Sequence, residues 1–445
     1  MDDLLSIISP SLASWLDRPR WLVGYSGGLD STVLLHLLQR FLQHNARRAP
    51  ELLAIHIHHG LSTSADHWQQ HCENFCEQQG IALASRRIVL GRQQPDGLEA
   101  GARTARYDAI SSLRQPGDVL FLGHHRDDQL ETLILNLFRS SGIAGLAGMA
   151  EQSHPGAWRA RPLLSFSRAR LWDYAKGHGL LWIEDESNQN VRFSRNFVRY
   201  QLLPMAARHW PDYSRRLDAT MRDMRHISEL VDEVADTDLA AVCAANRWGQ
   251  YLDVTALENY SPVRVRNMVR LWLHRCHVPT LRQRQWPTFF SDILGDTGSA
   301  ILTLRGGSLR RHRQAIYFVA DAELTQPPPQ ACWNGYDKVF LGSAGALEWS
   351  PDCVRGLDPQ RQYQLAFRRG GEVFTGAGWS HTKSLKQYLQ EQGVPPWWRH
   401  RVPLLLCDGQ LAAVADLAIA QSFIFDSTTG AARLIWQPCK RKSEA

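Results

Sequence analysis

The first third of the chain alternates between two hydrophobic rhythms. Short apolar runs at 21–25, 52–58, 81–89 and 119–123 read as buried strands. Between them apolar residues recur at helical spacing. Val33, Leu34, Leu37, Leu38 and Phe41 form one such face. Trp68, Cys72, Phe75 and Cys76 form another, on a helix that Ser62 or Ser64 can cap. Further helices are expected over 99–113 and about 127–139. Strands alternating with helices predict an α/β fold with a doubly wound parallel sheet. In such sheets the ligand sits beyond the carboxyl ends of the strands, at a topological switch point. Ser26, His58 and His124 all lie at strand ends of that kind.

Beyond residue 211 the rhythm changes. Leu217, Met221, Met224, Ile227, Val231 and Val234 mark a long amphipathic helix, and 264–276 a second. Short strands are expected near 300–304 and 315–319. The proline-rich TQPPPQ at 325–330 reads as a linker. The remainder mixes short strands and glycine turns with one helix over 384–392. These shifts predict three domains: a catalytic α/β domain over 1–212, a mainly helical one over 213–325, and a small α+β domain over 331–440.

Composition narrows the class. With 44% hydrophobic and 21% charged residues over 445 positions, the chain is globular, and no apolar run approaches a membrane-spanning length. The acidic start MDDLLSIISP does not read as an export signal. Eight cysteines without a C-x-x-C argue against a disulfide framework and for a reducing cytoplasm. A net charge of +6 permits a nucleic-acid partner.

Two strings carry the chemistry. In WLVGYSGGLDS the apolar strand runs into Ser26-Gly27-Gly28-Leu29-Asp30-Ser31 and then a helix. Backbone N–H groups there face outward at the positive end of the helix dipole, where a phosphate fits. Gly27 and Gly28 allow positive φ and close approach, Ser26 and Ser31 add hydroxyls, and Asp30 is a candidate Mg2+ ligand. The loop is neither a Walker A nor a G-x-G-x-x-G motif; a plain turn capped by Asp30 and Ser31 is the competing reading. The second string, GHHRDDQLET at 123–132, enters the same crevice with Asp127, Asp128 and Glu131 at helical spacing. Such carboxylates suit an amine or a magnesium ion, or simply satisfy the helix N-terminus.

RSSGIAGLAGM at 139–149 offers Arg139 to a phosphate, or ends a helix with Gly142 beyond it. GARTARY holds Arg103, Arg106 and Tyr107, suited to surface ion pairs or to a nucleotide. His56, His58, His59, His67, His71, Cys72 and Cys76 lack zinc-finger spacing, so a solvated His67 and His71 and core Cys72 and Cys76 are expected.

The S-G-G-x-D-S string resembles the PP-loop of the ATP pyrophosphatases, which cleave ATP between its α and β phosphates and adenylate a carbonyl-type oxygen. HIHHGLS, GARTARY, GHHRDDQLET, RSSGIAGLAGM, RPLL, DESN with RN, and the late FRRGGE, LKQYLQEQGVPPWWR and PLL extend the likeness over nearly the whole chain. In that order the motifs resemble the bacterial tRNA(Ile)-lysidine synthetases. The resemblance implies ATP with Mg2+, free lysine, and an isoleucine tRNA with a CAU anticodon whose wobble cytidine becomes lysidine. It implies that Ser26, Gly27, Gly28, Leu29, Asp30, Ser31 and His58 bind ATP. It places Arg103, His124, Asp128 and Glu131 with Asp30 at the reaction centre, and Arg139 and Gly142 near phosphate. For tRNA contacts it points to Arg195, Arg199, Arg368, Arg369, Lys386 and Arg399. Monomer and homodimer stay open.

The chain departs from the family's Arg-Gly-Ser/Thr-Gly at Ser140, where a positive φ would strain a serine, and it has DESN for D-P-S-N. Arg264, Arg266, Arg270, Arg275, Arg282, Arg284, Arg310, Arg311 and Arg313 read as solvated faces or, with interleaved aromatics, as RNA contacts. Trp397 and Trp398 suit either a core or that surface. A PP-loop tRNA sulfurtransferase is the nearest rival, disfavoured by the absence of C-x-x-C. A glutamine-fed amidotransferase would have a glutaminase domain before the loop.

Overall fold

The structure, a computed structural model, describes residues 3–58, 60, 64–88, 98–152, 158–184, 190–295, 300–324, 331–333 and 338–438. The chain divides into two units, Met1–Leu230 and Val231–Ala445. The linker at 325–330 and the DESN string at 185–188 lie outside the described residues.

In the first unit α1 (Asp3–Ala13) precedes β1 (Arg20–Gly24), α2 (Leu29–His44), β2 (Glu51–His58), α3 (Ala65–Gln79), β3 (Ala82–Arg87), α4 (Leu98–Leu113), β4 (Val119–Phe121), α5 (Arg126–Phe138), α6 (Ile143–Leu146), β5 (Arg159–Ala160) and α7 (Arg168–Gly177). The five strands pair in parallel in the order β3-β2-β1-β4-β5. The order reverses between β1 and β4, so the crevice expected for a ligand opens between their carboxyl ends. The doubly wound sheet is therefore present. Both faces are covered, which is why β1 is apolar throughout its middle. Trp21 and Val23 pack with α1, α2, α3 and α7. Leu22 packs on the other face with Ile55, Leu120 and Ile110 of α4. The two-residue β5 has no sequence signal, because a strand that short shows no period.

The unit closes with α8 (Ser194–Phe197), a π-helical turn Val198–Leu202, α9 (Leu203–His209) and the start of α10 (Tyr213–Val242). Leu217 and Met221 of α10 pack on Leu130, Leu133 and Val198.

In the second unit the middle region has α10's remaining half, α11 (Val254–Leu257) and α12 (Pro262–Arg275), the last capped by the Ser261 hydroxyl. It also holds an antiparallel sheet of β6 (Cys243–Asn246), β7 (Gly249–Asp253), β8 (Ile301–Leu304), β9 (Gly307–His312) and β10 (Ala315–Ala320), in the order β6-β7-β10-β9-β8. Only β8 and β10 were expected. The last region has a five-stranded and a three-stranded sheet, with the helix Leu385–Glu391 capped by Ser384. Its core takes in Tyr317 and Val319 of β10 alongside Trp397, Trp398 and Trp436. The two tryptophans of PPWWR are thus core, and one apolar core runs across the expected linker position. Among the described residues no helix is long and apolar enough to cross a membrane.

Candidate active site

The turn after β1 is held by its own hydroxyls. Ser26 N–H donates to Ser31 Oγ at 3.2 Å, Gly28 N–H donates to Ser26 Oγ at 3.3 Å, and Ser31 Oγ donates to the Gly28 carbonyl at 3.0 Å. Gly27 has φ of +79°, and a β-carbon there would stand 2.8 Å from Ile183 Cδ1 and 3.0 Å from Cys72 Sγ. The glycine is needed for both its sign of φ and its lack of a side chain. Ile183 N–H donates to the Gly27 carbonyl at 2.9 Å, so the segment entering the DESN string runs beside the loop. Leu29 is buried, leaving only its backbone to face a ligand.

The β4–α5 turn closes the crevice from the other side. A β-carbon on Gly123 would meet the Asp30 carbonyl at 3.0 Å, so the two turns touch backbone to backbone. His125, fully buried, is the N-cap of α5. Its N–H donates to Asp128 Oδ2 at 3.0 Å, and Asp128 N–H donates to its Nδ1 at 3.4 Å. This is a capping box with histidine in the usual place of serine or threonine. Its Nε2 lies 3.5 Å from Asp30 Oδ2 and 3.6 Å from Asp128 Oδ2. Burial pushes the basicity of His125 down, but the Asp30, Asp128 and Asp127 carboxylates outweigh burial and raise it. Asp127 accepts from Arg168 N–H at 2.7 Å and so fixes the start of α7.

One turn into α5, Asp128 and Glu131 share two arginines. Arg195 donates to Glu131 Oε2 at 2.6 Å and to Asp128 Oδ1 at 2.9 Å. Arg199 donates to Glu131 Oε1 at 2.5 Å and to Asp128 Oδ1 at 3.2 Å. Glu131 is wholly buried. Burial would raise the Asp128 carboxyl, yet His125, Arg195 and His124 together hold it below the usual carboxylate range. The expected pair of carboxylates is therefore on one helix face, and Arg195 and Arg199, expected at the tRNA, turn inward to it.

The other candidates are scattered. His124 is half-buried beside Asp128. His58 is buried at the end of β2, 3.1 Å from Asp66. Arg103 lies on α4 with its side chain outside the described residues; Arg106 is exposed. His67 is exposed, Cys72 and Cys76 are core, and His71 is half-buried beside Gly27. Arg139 is exposed, and Gly142 caps α6 instead of ending α5. In the second unit Arg369 and Lys386 are exposed, Arg368 lies 3.7 Å from Glu372, and Arg399 donates to the Val394 carbonyl. Arg264, Arg270 and Arg275 of α12 pair with Asp238, Asp232 and Asp236 of α10, and Arg266 stacks over Trp286.

Sequence reasoning chose His124 over its neighbour. The capping-box spacing from His125 to Asp128 was the available signal. The inward turn of Arg195 and Arg199 had none, since it depends on a contact across more than 60 residues.

Residues 4–206 match a PP-loop domain, 252–317 a TilS substrate binding domain, and 363–436 a TilS substrate C-terminal domain. The tRNA(Ile)-lysidine synthase of Pseudomonas fluorescens (strain Pf0-1) is 36% identical, covering 98% of this chain and 97% of that protein. That of Pseudomonas putida is 38% identical over 92% and 94%. Among solved structures, the U34-tRNA thiolase NcsA from Methanococcus maripaludis aligns at 18% identity and a TM-score of 0.40, over 50% of this chain and 80% of that one. With full-length relatives at this identity, all three domain matches in order, and the glycine loop where a PP-loop belongs, the chain belongs to the tRNA(Ile)-lysidine synthase family.

Proposed function

We propose that this chain makes lysidine in an isoleucine tRNA with a CAU anticodon, using ATP and free lysine. The O2 oxygen of the wobble cytidine attacks the α-phosphorus of ATP, the bond to the β-bridging oxygen breaks, and pyrophosphate leaves. The lysine amine then bonds to C2, the C2–O bond breaks, AMP leaves, and the nitrogen sheds a proton. The observation that carries this reading is the meeting of Asp30 with the α5 carboxylate face at the switch point, through His125 at 3.5 and 3.6 Å. A phosphate loop and an amine-binding surface then open into one crevice.

Ser26 to Ser31 and His58 take the nucleotide. An Mg2+ ion fits at Asp30, whose Oδ1 is buried without a hydrogen-bond partner; Mg2+ is commonly held by one or two carboxylates plus phosphates and water. Bound there, it would neutralise phosphate charge. Asp128 and Glu131 answer a cationic amine. Their present partners are guanidinium groups, so the amine must displace at least one. One of these carboxylates, with or without His124 beside Asp128, takes the amine proton.

A groove of about 420 Å3 beside this cluster, lined by Phe138, Arg139, Val191, Arg192, Phe197 and Leu202, supports an RNA partner. Unstacked RNA bases rest on aromatic faces and guanidinium planes. A sulfur-transfer reading is disfavoured by the two cysteines near the loop: burial pushes Cys72 and Cys76 up to about 12, which keeps both as thiols.

Glu131→Gln tests the division of roles. Labelled AMP–tRNA should still form and should accumulate with lysine present. Loss of AMP–tRNA in a folded variant would place Glu131 in the first step, and normal lysidine formation would remove it from the site.

A further inference from the structure

His125 stands apart from the groups used above because it touches both halves of the crevice and is fully buried. Its Nδ1 accepts from Asp128 N–H, so in the neutral ring the proton is on Nε2. That nitrogen faces Asp30 Oδ2 at 3.5 Å. A helix cap needs only an acceptor, which Ser, Thr, Asp or Asn supplies at least as well. The imidazole adds a donor at its far end, and that buried donor, with no hydrogen-bond partner among the described residues, faces the acidic residue of the phosphate loop.

We infer that His125 is a positioning residue for the ATP-using step: its Nε2, 3.5 Å from Oδ2 of Asp30, holds that carboxylate in place at the phosphate loop. This rests on the proposed function only in naming the step. Gly123, in backbone contact with Asp30, keeps the two turns close enough for the side chain to reach.

Two substitutions separate this role from capping. His125→Asn puts an amide oxygen near the place of Nδ1, keeping the cap while losing the reach to Asp30. His125→Gln extends an amide N–H toward the place of Nε2 and weakens the cap. The positioning role expects the Asn variant to melt close to the parent and yet form AMP–tRNA about tenfold or more slowly, the worth of a hydrogen bond to a charged group. It expects the Gln variant to be the less stable and the faster of the two. Transfer of lysine to tRNA adenylated beforehand should be alike in both. Calorimetric binding of a non-hydrolysable ATP analogue, with and without Mg2+, should rank the variants in the same order. That readout survives failure of the proposed substrate. An Asn variant as fast as or faster than the Gln variant, at a temperature where both are folded, overturns the inference and leaves His125 a helix cap.

Discussion

At Ser140 the chain takes φ of +54°, a conformation that costs an L-residue roughly 1–2 kcal/mol. The turn is a complete Schellman motif ending α5. Ser140 N–H donates to the Leu137 carbonyl at 3.2 Å, and Ser141 N–H to the Asn136 carbonyl at 3.0 Å. The left-handed position that the family pattern gives to glycine is thus real here, and serine occupies it under strain. Ser140→Gly should raise stability by about 1 kcal/mol, the strain relieved exceeding glycine's extra freedom when unfolded. Urea unfolding at an unchanged slope checks it, and a loss of stability would contradict it. The strain was legible as a question, because the departure stands in the string itself. The choice between His124 and His125 was less so. Neighbouring residues share composition and position, and only the packed turn decides which imidazole is buried against Asp30.

The same limit operates between elements. The arginines of α12 are plain in the sequence, and read alone they suggest a surface for phosphates. Their partners, Asp232, Asp236 and Asp238, lie on α10, 26 to 39 positions earlier. Helix pairing converts most of that basic face into an interhelical ladder. Arg270→Ala should therefore cost up to about 1 kcal/mol of stability, as partly exposed ion pairs do. It should leave the salt dependence of tRNA binding unchanged, since a side chain engaged with Asp232 releases no counterion from RNA. A flatter salt slope for the variant would return Arg270 to the RNA surface. Helices α2, α5 and α12 were legible because each carries a long apolar stripe and two have good caps. The hairpin β6–β7 was not, since its residues Ala244, Ala245 and Gln250 are exposed and show no alternation.

For the whole molecule the informative feature is the core that runs through the second unit. Tyr317 of β10 lies 5.5 Å from Trp397, Trp248 lies 6.0 Å from Trp398 and 5.7 Å from Trp436, and Arg247 pairs with Asp416 at 2.8 Å. A proline-rich linker marks a change of chain direction or composition without requiring that the flanks fold separately. A protein ended at residue 325 should expose Trp248 and Tyr317, bind a hydrophobic dye and aggregate. One ended at residue 230 should unfold cooperatively and bind ATP, yet hold tRNA weakly. A monomeric, dye-negative 1–325 piece would contradict the shared core. The central claim is the transfer of lysine to tRNA through an adenylated intermediate. Its most direct test is incubation of the full chain with isoleucine tRNA, ATP and labelled lysine, followed by nucleoside analysis. The label should appear in one modified cytidine, with one AMP and one pyrophosphate released for each. AMP release without label in the nucleoside, or label entering without ATP, would contradict it.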